Sequence, residues 1–251
     1  MANVHNLTKS GKLVIFSDVH IGANEFQESK FLEALKFCKK EDCKIILNGD
    51  IAENSIISGG DAGEKIVEQK EHPTEQIKYA TAKFRPFAKA GKILGLTRGN
   101  HESRTRRSAM LDICDLLADS LQVPYWGVGG YVVLHHGSQR YTGAIQHGKS
   151  AGANTWTELD KLMRAYHHAE FGALGHNHDL NTRQVNYFGL DADNEENLIA
   201  RHQIRTGTYL GYADYCRDSC IMPGLVGSPV LTFNPKKHDI SVDIHTLSWG
   251  K

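Results

Sequence analysis

The sequence predicts an α/β fold, and three observations carry that expectation. Short, continuous apolar runs such as Leu13-Val14-Ile15-Phe16 recur along the chain. Stretches with apolar residues at helical spacing lie between them, and run after run ends in Asp, Asn or His. Runs without polar alternation suit strands buried on both faces, and their alternation with amphipathic helices gives β-α-β units. At 251 residues, with 40% hydrophobic and 23% charged, the chain is long enough to bury a full core and is expected to form one domain, 1–251.

In chain order, Lys12 to Phe16 is the first buried strand and ends at Ser17-Asp18. Phe26 to Lys40 follows as a helix, with Phe31, Leu32, Leu35 and Cys38 near helical period. Lys44 to Asn48 is the second strand, ending at Gly49-Asp50. A helix over Thr74 to Lys89 carries Ile77, Ala80, Phe84 and Phe87, and a strand over Lys92 to Leu96 runs into Gly99-Asn100-His101-Glu102. Ser108 to Leu121 reads as a further helix through Met110, Leu111, Cys114, Leu117 and Leu121. Beyond it, Tyr131 to Leu134 is a strand ending at His135-His136, Trp156 to Ala165 a short helix, and Phe171 to Leu174 a strand ending at Gly175-His176. The C-terminal part reads as hairpins, with strands at Gln203 to Arg205, Pro229 to Phe233 and Ile240 to Ile244 and a turn near Asn234-Pro235. No repeat, low-complexity tract or linker interrupts this order.

Composition narrows the function. No apolar run approaches membrane-spanning length, and the N-terminus lacks the apolar core of a signal peptide, so a cytoplasmic protein without a membrane partner is expected. The five cysteines are scattered and never form Cys-x-x-Cys, which argues against a disulfide framework or a thiolate metal site. Formal charge sums to zero, so binding to nucleic acid would need a local basic patch. The fourteen histidines pose the question of which are ligands.

Five islands answer it: Asp18-Val19-His20, Gly49-Asp50, Gly99-Asn100-His101-Glu102, His135-His136-Gly137 and Gly175-His176-Asn177-His178. Taken singly, Asp and Asn after a strand cap helices or fill turns. Together, each behind a predicted strand, they lie where open α/β sheets assemble their sites, at the carboxyl ends of strands. Composition alone would produce Gly-His-x-His about 0.07 times and Gly-Asn-His-Glu about 0.004 times in such a chain. Mixed imidazole and carboxylate donors suit divalent manganese, iron or zinc. A pair of ions about 3.5–4 Å apart, which Asp50 would bridge, clamps both oxygens of a phosphoryl transfer.

On these residues, from Asp18 to His178, the chain resembles the calcineurin-like metallophosphoesterase family, and within it the compact phosphodiesterase and nuclease members. The resemblance implies a four-layer α/β/β/α sandwich with two mixed β-sheets. It implies two divalent ions, manganese first, with iron, zinc, nickel or magnesium as alternatives. Asp18, His20, Asp50 and His178 would hold one ion and Asp50, Asn100, His136 and His176 the other, with His136 preferred to His135 because it directly precedes Gly137. His101 would be the catalytic histidine, assisting the leaving oxygen while a metal-activated hydroxide attacks phosphorus.

The expected substrate is a phosphodiester in DNA, another nucleic acid or a nucleotide. A phosphomonoesterase is the alternative, and a catalytically silent binding module a third reading. Arg98, Arg104 and Arg205 are the candidate substrate contacts, with Arg106 and Arg107 nearby. Against them stand a structural salt bridge for Arg98, a solvated helix turn for Arg104 and a hairpin turn for Arg205. Glu102 reads as a supporting or helix-start residue. His5, His72, His147, His167, His168, His202, His238 and His245 have no motif around them and are given no role. Specificity would lie in the segments Ile51 to His72, Gln139 to Thr155 and Asp179 to Ala200.

Overall fold

The apolar runs form the middle of a five-stranded sheet. In the computed structural model, β2 (Lys12–Phe16), β3 (Lys44–Asn48) and β4 (Ile93–Thr97) are parallel neighbours, and β11 (Val230–Phe233) and β12 (Ile240–Asp243) extend the sheet antiparallel on the β2 side. The structure describes residues 2–56, 69–149, 156–190, 195–212 and 225–250. A second sheet of six strands has the order β1 (Asn3–Asn6), β5 (Gly130–His136), β6 (Gln139–Gln146), β7 (Phe171–Leu174), β9 (Glu196–Thr206), β8 (Leu180–Leu190). A short antiparallel pair, β10 (Leu225–Gly227) with β13 (Ser248–Gly250), completes the strands.

Period-two alternation explains why the central runs are apolar throughout. Val14 and Phe16 of β2, with Ile45 and Leu47 of β3, face α1 (Glu28–Lys40), α2 (Pro73–Lys89) and α4 (Ile113–Leu121), where Phe31, Phe84 and Leu117 receive them. Leu13, Ile15 and Ile46 point the other way, onto Val132, Leu134, Tyr141, Phe171 and Ile204 of the second sheet. Ala144 and Leu174 on the outer face of that sheet pack under Leu159, Leu162 and Met163 of α5 (Trp156–Ala165). The result is the four-layer α/β/β/α sandwich with two mixed sheets. Each aliphatic or aromatic side chain fully buried this way contributes about 1.5–3 kcal/mol.

Three expectations need correction. The helix over Ser108 to Leu121 is two: α3 (Glu102–Ala109) ends where Met110 turns left-handed at φ 55°, and α4 begins after Asp112, whose side chain accepts from the N–H groups of Cys114 and Asp115. The segment Gln139 to Thr155 begins as strand β6. It is joined to β5 by the two-residue turn Gly137-Ser138, in which Gly137 at φ 60° takes the position where a II′ hairpin needs glycine. Most of Asp179 to Ala200 belongs to the β8–β9 ladder. Of the three expected specificity segments, residues 57–68, 150–155 and 191–194 lie outside the described residues, as do Cys216 and Cys220. No helix among the described residues is long and apolar enough to cross a membrane.

Strand direction decides where the islands go. β6 is parallel to β7, and β7 to β9, whereas β5 is antiparallel to β6. The carboxyl ends of β2, β3, β4, β6 and β7 therefore share one edge of the sandwich, and β5 ends at the other.

Candidate metal centre

Backbone strain gathers at that edge. Asp18, His20, Asp50, His176 and His178 all have positive φ, between 48° and 71°, as does Asn54. Left-handed backbone costs about 1–3 kcal/mol per non-glycine residue and persists where the surroundings over-determine it. Here it turns the side chain just past each strand inward. The flanking glycines leave the room: a Cβ on Gly99 would stand 2.0 Å from Asp50 Oδ1, and one on Gly175 would stand 2.1 Å from Ser17 Oγ.

Donor atoms converge in two neighbouring groups, and a further set, His20, Glu53 and His101, shares His20 with the first. Asp18, His20 and His178 form one, with His178 Nε2 3.4 Å from Asp18 Oδ1 and 3.1 Å from His20 Nε2. Asp50, His147 and His176 form the other, joined by Asn100. Here His147 Nε2 is 3.1 Å from both Asp50 Oδ2 and Asn100 Oδ1, and His176 Nδ1 is 2.6 Å from Asn100 Oδ1. Ligands held about 2.1 Å from one ion lie about 3.0–3.4 Å from one another in octahedral or tetrahedral geometry, which is the spacing between these atoms except for the shorter His176–Asn100 pair. Two imidazole lone pairs facing each other are otherwise repulsive. The donor set, imidazole with carboxylate and amide oxygen and no sulfur, fits two divalent ions.

The remaining ring nitrogens are fixed from behind. His147 Nδ1 donates to the Asn48 carbonyl at 2.8 Å, and His20 Nδ1 donates to Glu53 Oε2 at 2.7 Å, so each Nε2 keeps its lone pair for the centre. Asp18 accepts from the His176 N–H and from the Ser17 hydroxyl. Glu102 is wholly buried and gathers the backbone N–H groups of Asp50, Ile51, Ala52 and Gly99 at 2.7–3.2 Å, stitching the second island to the third. Burial and the charge of Asp50 push the Glu102 carboxyl up to about 7 against the pull of those N–H groups. Asn54 donates to the His101 carbonyl at 2.8 Å and bonds Thr105, so it pins the start of α3.

Electrostatically the cluster is a tight mixture of charges. Burial works against the His147 imidazolium, but Asp50 and Asp18 beside it push its pKa up to about 10. Burial likewise opposes the Asp50 carboxylate, and His147, His101 and His20 nevertheless hold it well below the ordinary range. Glu53 is lowered in the same way by His101 and His20.

His101 lies at the rim of the cluster. Its N–H donates to Asp50 Oδ1 at 2.9 Å, and its Nδ1 is 2.8 Å from the Glu53 carbonyl and 3.3 Å from Glu53 Oε1. Arg104 donates to that same carbonyl at 2.9 Å, and its Nη2 stands 3.1 Å from His101 Nε2. A guanidinium has no acceptor, so this last contact is a hydrogen bond only to a neutral ring. A proton on Nε2 and Arg104 exclude one another there.

A family model described as calcineurin-like phosphoesterase matches residues 11–214. The chain belongs to that family. Among solved structures, this calcineurin-like phosphoesterase is similar to YfcE, a phosphoesterase from E. coli, at 15% identity and TM-score 0.44, covering 93% of this chain and 98% of that one. It is similar also to a Vps29 double mutant from Entamoeba histolytica (12% identity, TM-score 0.48, 92% and 97% covered). A hypothetical protein from Pyrococcus horikoshii OT3 is a third (12%, 0.46, 95% and 87%). No match is found among the curated proteins.

Of the expected site residues, the structure brings Asp18, His20, Asp50, Asn100, His101, His176, His178 and Arg104 together. It does not bring His136. That residue ends β5 beside the turn, buried against Gly11, where a Cβ would stand 2.7 Å from its Nε2. His147, given no role by sequence reasoning, occupies the place expected of His136. Arg98 also falls away: its guanidinium pairs with Asp112 at 3.1 Å, the salt bridge that was its alternative. Arg205 is fully buried beside α5, not at the rim. Glu53 and Asn54 escaped sequence reading because nothing in their local sequence distinguishes them. His147 did carry a signal, since it too precedes a glycine.

Proposed function

We propose that the protein is a metal-dependent phosphodiesterase acting on nucleic acid or a nucleotide. The observation that carries this reading is the placement of Arg104 beside His101, on a helix whose next turn presents Arg106 and Arg107 to solvent. A monoester ends at its phosphate. A diester continues beyond it, and a local concentration of guanidinium groups on this helix, with Arg106 also 3.7 Å from Asp112 and Arg107 donating to the Ser103 carbonyl, suits a backbone that carries further phosphates. The chain as a whole has no net charge that would otherwise attract it.

Asp18, His20, Asp50, Asn100, His147, His176 and His178 would hold two divalent ions, which would lower the pKa of a water and supply positive charge for the non-bridging oxygens. The chain's own residues do the rest. Asp50 fixes the backbone of His101 through its N–H, and Glu53 holds the Nδ1 side of the ring, leaving Nε2 turned to the leaving oxygen as proton donor. Arg104, displaced from Nε2 when that atom carries the proton, is then free to pair with a phosphate oxygen.

The test is a panel of oligonucleotides, cyclic nucleotides, a model diester and a model monoester assayed with Mn²⁺. Turnover of diesters well above the monoester is expected. A monoester hydrolysed far faster would replace this reading with a phosphomonoesterase. No turnover of any ester by protein with its ions bound would leave the silent binding module.

A further inference from the structure

Arg205 is a buried cation that the metal centre does not use. It is 1% exposed, and Nε, Nη1 and Nη2 all lack a hydrogen-bond partner among the described residues. A guanidinium stripped of water without an acceptor is among the costlier things a fold can enclose.

Its surroundings are readable from the strand. Residues two apart on β9 share a face, and Gln203 on that face donates to Asp160 of α5 at 2.9 Å. Because α5 connects the parallel strands β6 and β7, it runs opposite to them and to β9. Moving from Gln203 to Arg205 advances about 6.6 Å along the strand, close to the length of four helix residues. Arg205 therefore stands level with the first turn of the ten-residue α5, where Glu158 is the residue whose charge reaches it.

The free N–H groups of a helix N-terminus favour an anion at that position. Glu158 and Asp179 are the carboxylates whose charge reaches Arg205, yet no nitrogen of Arg205 hydrogen-bonds to either. The place adjoins the metal centre: a Cβ on Gly148 would stand 3.7 Å from Glu158 Oε2, 3.7 Å from His176 Cβ and 3.6 Å from the Gly175 carbonyl. Gly148 is half-buried and without a side chain, and the exposed Lys149 follows it.

We propose that Arg205 and the N-terminus of α5 form an oxyanion subsite next to the metal centre that binds a phosphoryl group. The guanidinium fork supplies paired donors and the helix supplies backbone N–H groups and dipole. The group is either a neighbouring phosphate of the substrate or free inorganic phosphate. Only the first source rests on the phosphodiesterase reading.

Thermal denaturation of the metal-loaded protein in Tris–chloride, titrated with sodium sulfate as the probe, tests the subsite without any turnover. The wild type is expected to show a saturable rise, about 5 °C at a hundredfold excess over the dissociation constant. Arg205→Met removes an unpaired buried charge and keeps the length of the side chain. Without sulfate it is expected to melt at or above the wild-type temperature, and with sulfate to lose the saturable rise, which also corrects for general salt stabilisation. Arg205→Gln serves as the second variant if Arg205→Met does not fold. A variant that melts lower in chloride and responds to sulfate as the wild type does would overturn the proposal.

A dinucleotide with and without a 5′-phosphate then identifies the source. Binding of the 5′-phosphorylated form about tenfold tighter to wild type, but not to the variant, assigns the subsite to the substrate. Equal binding alongside an intact sulfate response assigns it to inorganic phosphate. Because neither readout requires hydrolysis, a failed subsite and a failed diesterase reading are told apart.

Discussion

His136 and His147 end the two strands of one hairpin, and each is followed by glycine, yet only His147 reaches the metal centre. β5 and β6 run in opposite directions, so their carboxyl ends are separated by the length of the ladder, about 20 Å for six residue steps. The rule that ligands follow the carboxyl ends of strands holds for both sheets, but it applies to strands that share a direction. β6 is parallel to β7, the strand that delivers His176 and His178, and β5 is not. A His-Gly pair is therefore not a ligand signal until the direction of its strand is known.

The sharpest way to break this comparison is to remove each ring in turn. His147→Ala deletes a ligand and is expected to lower kcat/KM about a thousandfold or more, the scale of several kcal/mol of lost metal stabilisation. Elemental analysis should show fewer than two ions per chain. His136→Ala should retain both ions and activity within about threefold, and should lose only packing against Gly11, as a lower melting temperature. If the two variants exchanged these outcomes, the assignment of His147 would fail. His101→Ala sharpens the contrast from inside the site, because His101 lies at the rim of the cluster and is proposed as the proton donor, not as a ligand. A fall in kcat of about 10²–10⁴ with both ions retained is expected, and loss of metal would show that the ring ligates instead.

Much of the site was legible because its chemistry sits on a loud pattern. Asp18, Asp50, Asn100 and His176 each terminate an apolar run buried on both faces, and those runs are readable from composition. β6 was hidden because it does not look like a strand: Gln139-Arg140-Tyr141-Thr142-Gly143 is polar and holds a glycine at its middle. Gly143 is there because the Phe171 ring lies across it, 2.2 Å from where a Cβ would be, a contact set by a strand 28 residues away. The break between α3 and α4 was hidden for a similar reason. Met110 continues the apolar period of a helix while its backbone turns left-handed. Glu53 serves His20 and His101 from a loop, with no periodic signal around it.

The charge state of His147 offers a subtler test of the same comparison. Without metal, burial disfavours its imidazolium, but Asp50 and Asp18 push the pKa up to about 10. A raised folded pKa contributes stability that is complete below the ordinary histidine value and lost as the pH rises through about 10. An entering ion must displace that proton, so metal affinity should strengthen by about tenfold per pH unit between about pH 6 and pH 8. Competition titrations against a chelator of known affinity would measure the slope. His147→Gln should flatten it by about one proton, whereas His136→Gln should leave it unchanged. An equal slope in both variants would place the linked proton elsewhere.

Two arginines repeat the lesson on a smaller scale. Arg98 and Arg104 flank the third island, but Arg98 directly follows β4, which ends at Thr97, and its guanidinium turns to Asp112 at the start of α4, which also accepts from Tyr125. Arg104 lies within the first turn of α3 and returns to His101 and Glu53. Arg98→Met should therefore cost about 1 kcal/mol of stability, as expected for a partly exposed ion pair, with kcat/KM within about twofold. Arg104→Met should lower kcat/KM by about tenfold to a hundredfold through a lost phosphate contact. Arg104→Lys should restore part of this, because it keeps the charge and loses the fork. If Arg104→Met instead matched Arg98→Met in both readouts, Arg104 would be only a brace for Glu53, and the arginines of α3 would no longer favour a diester over a monoester.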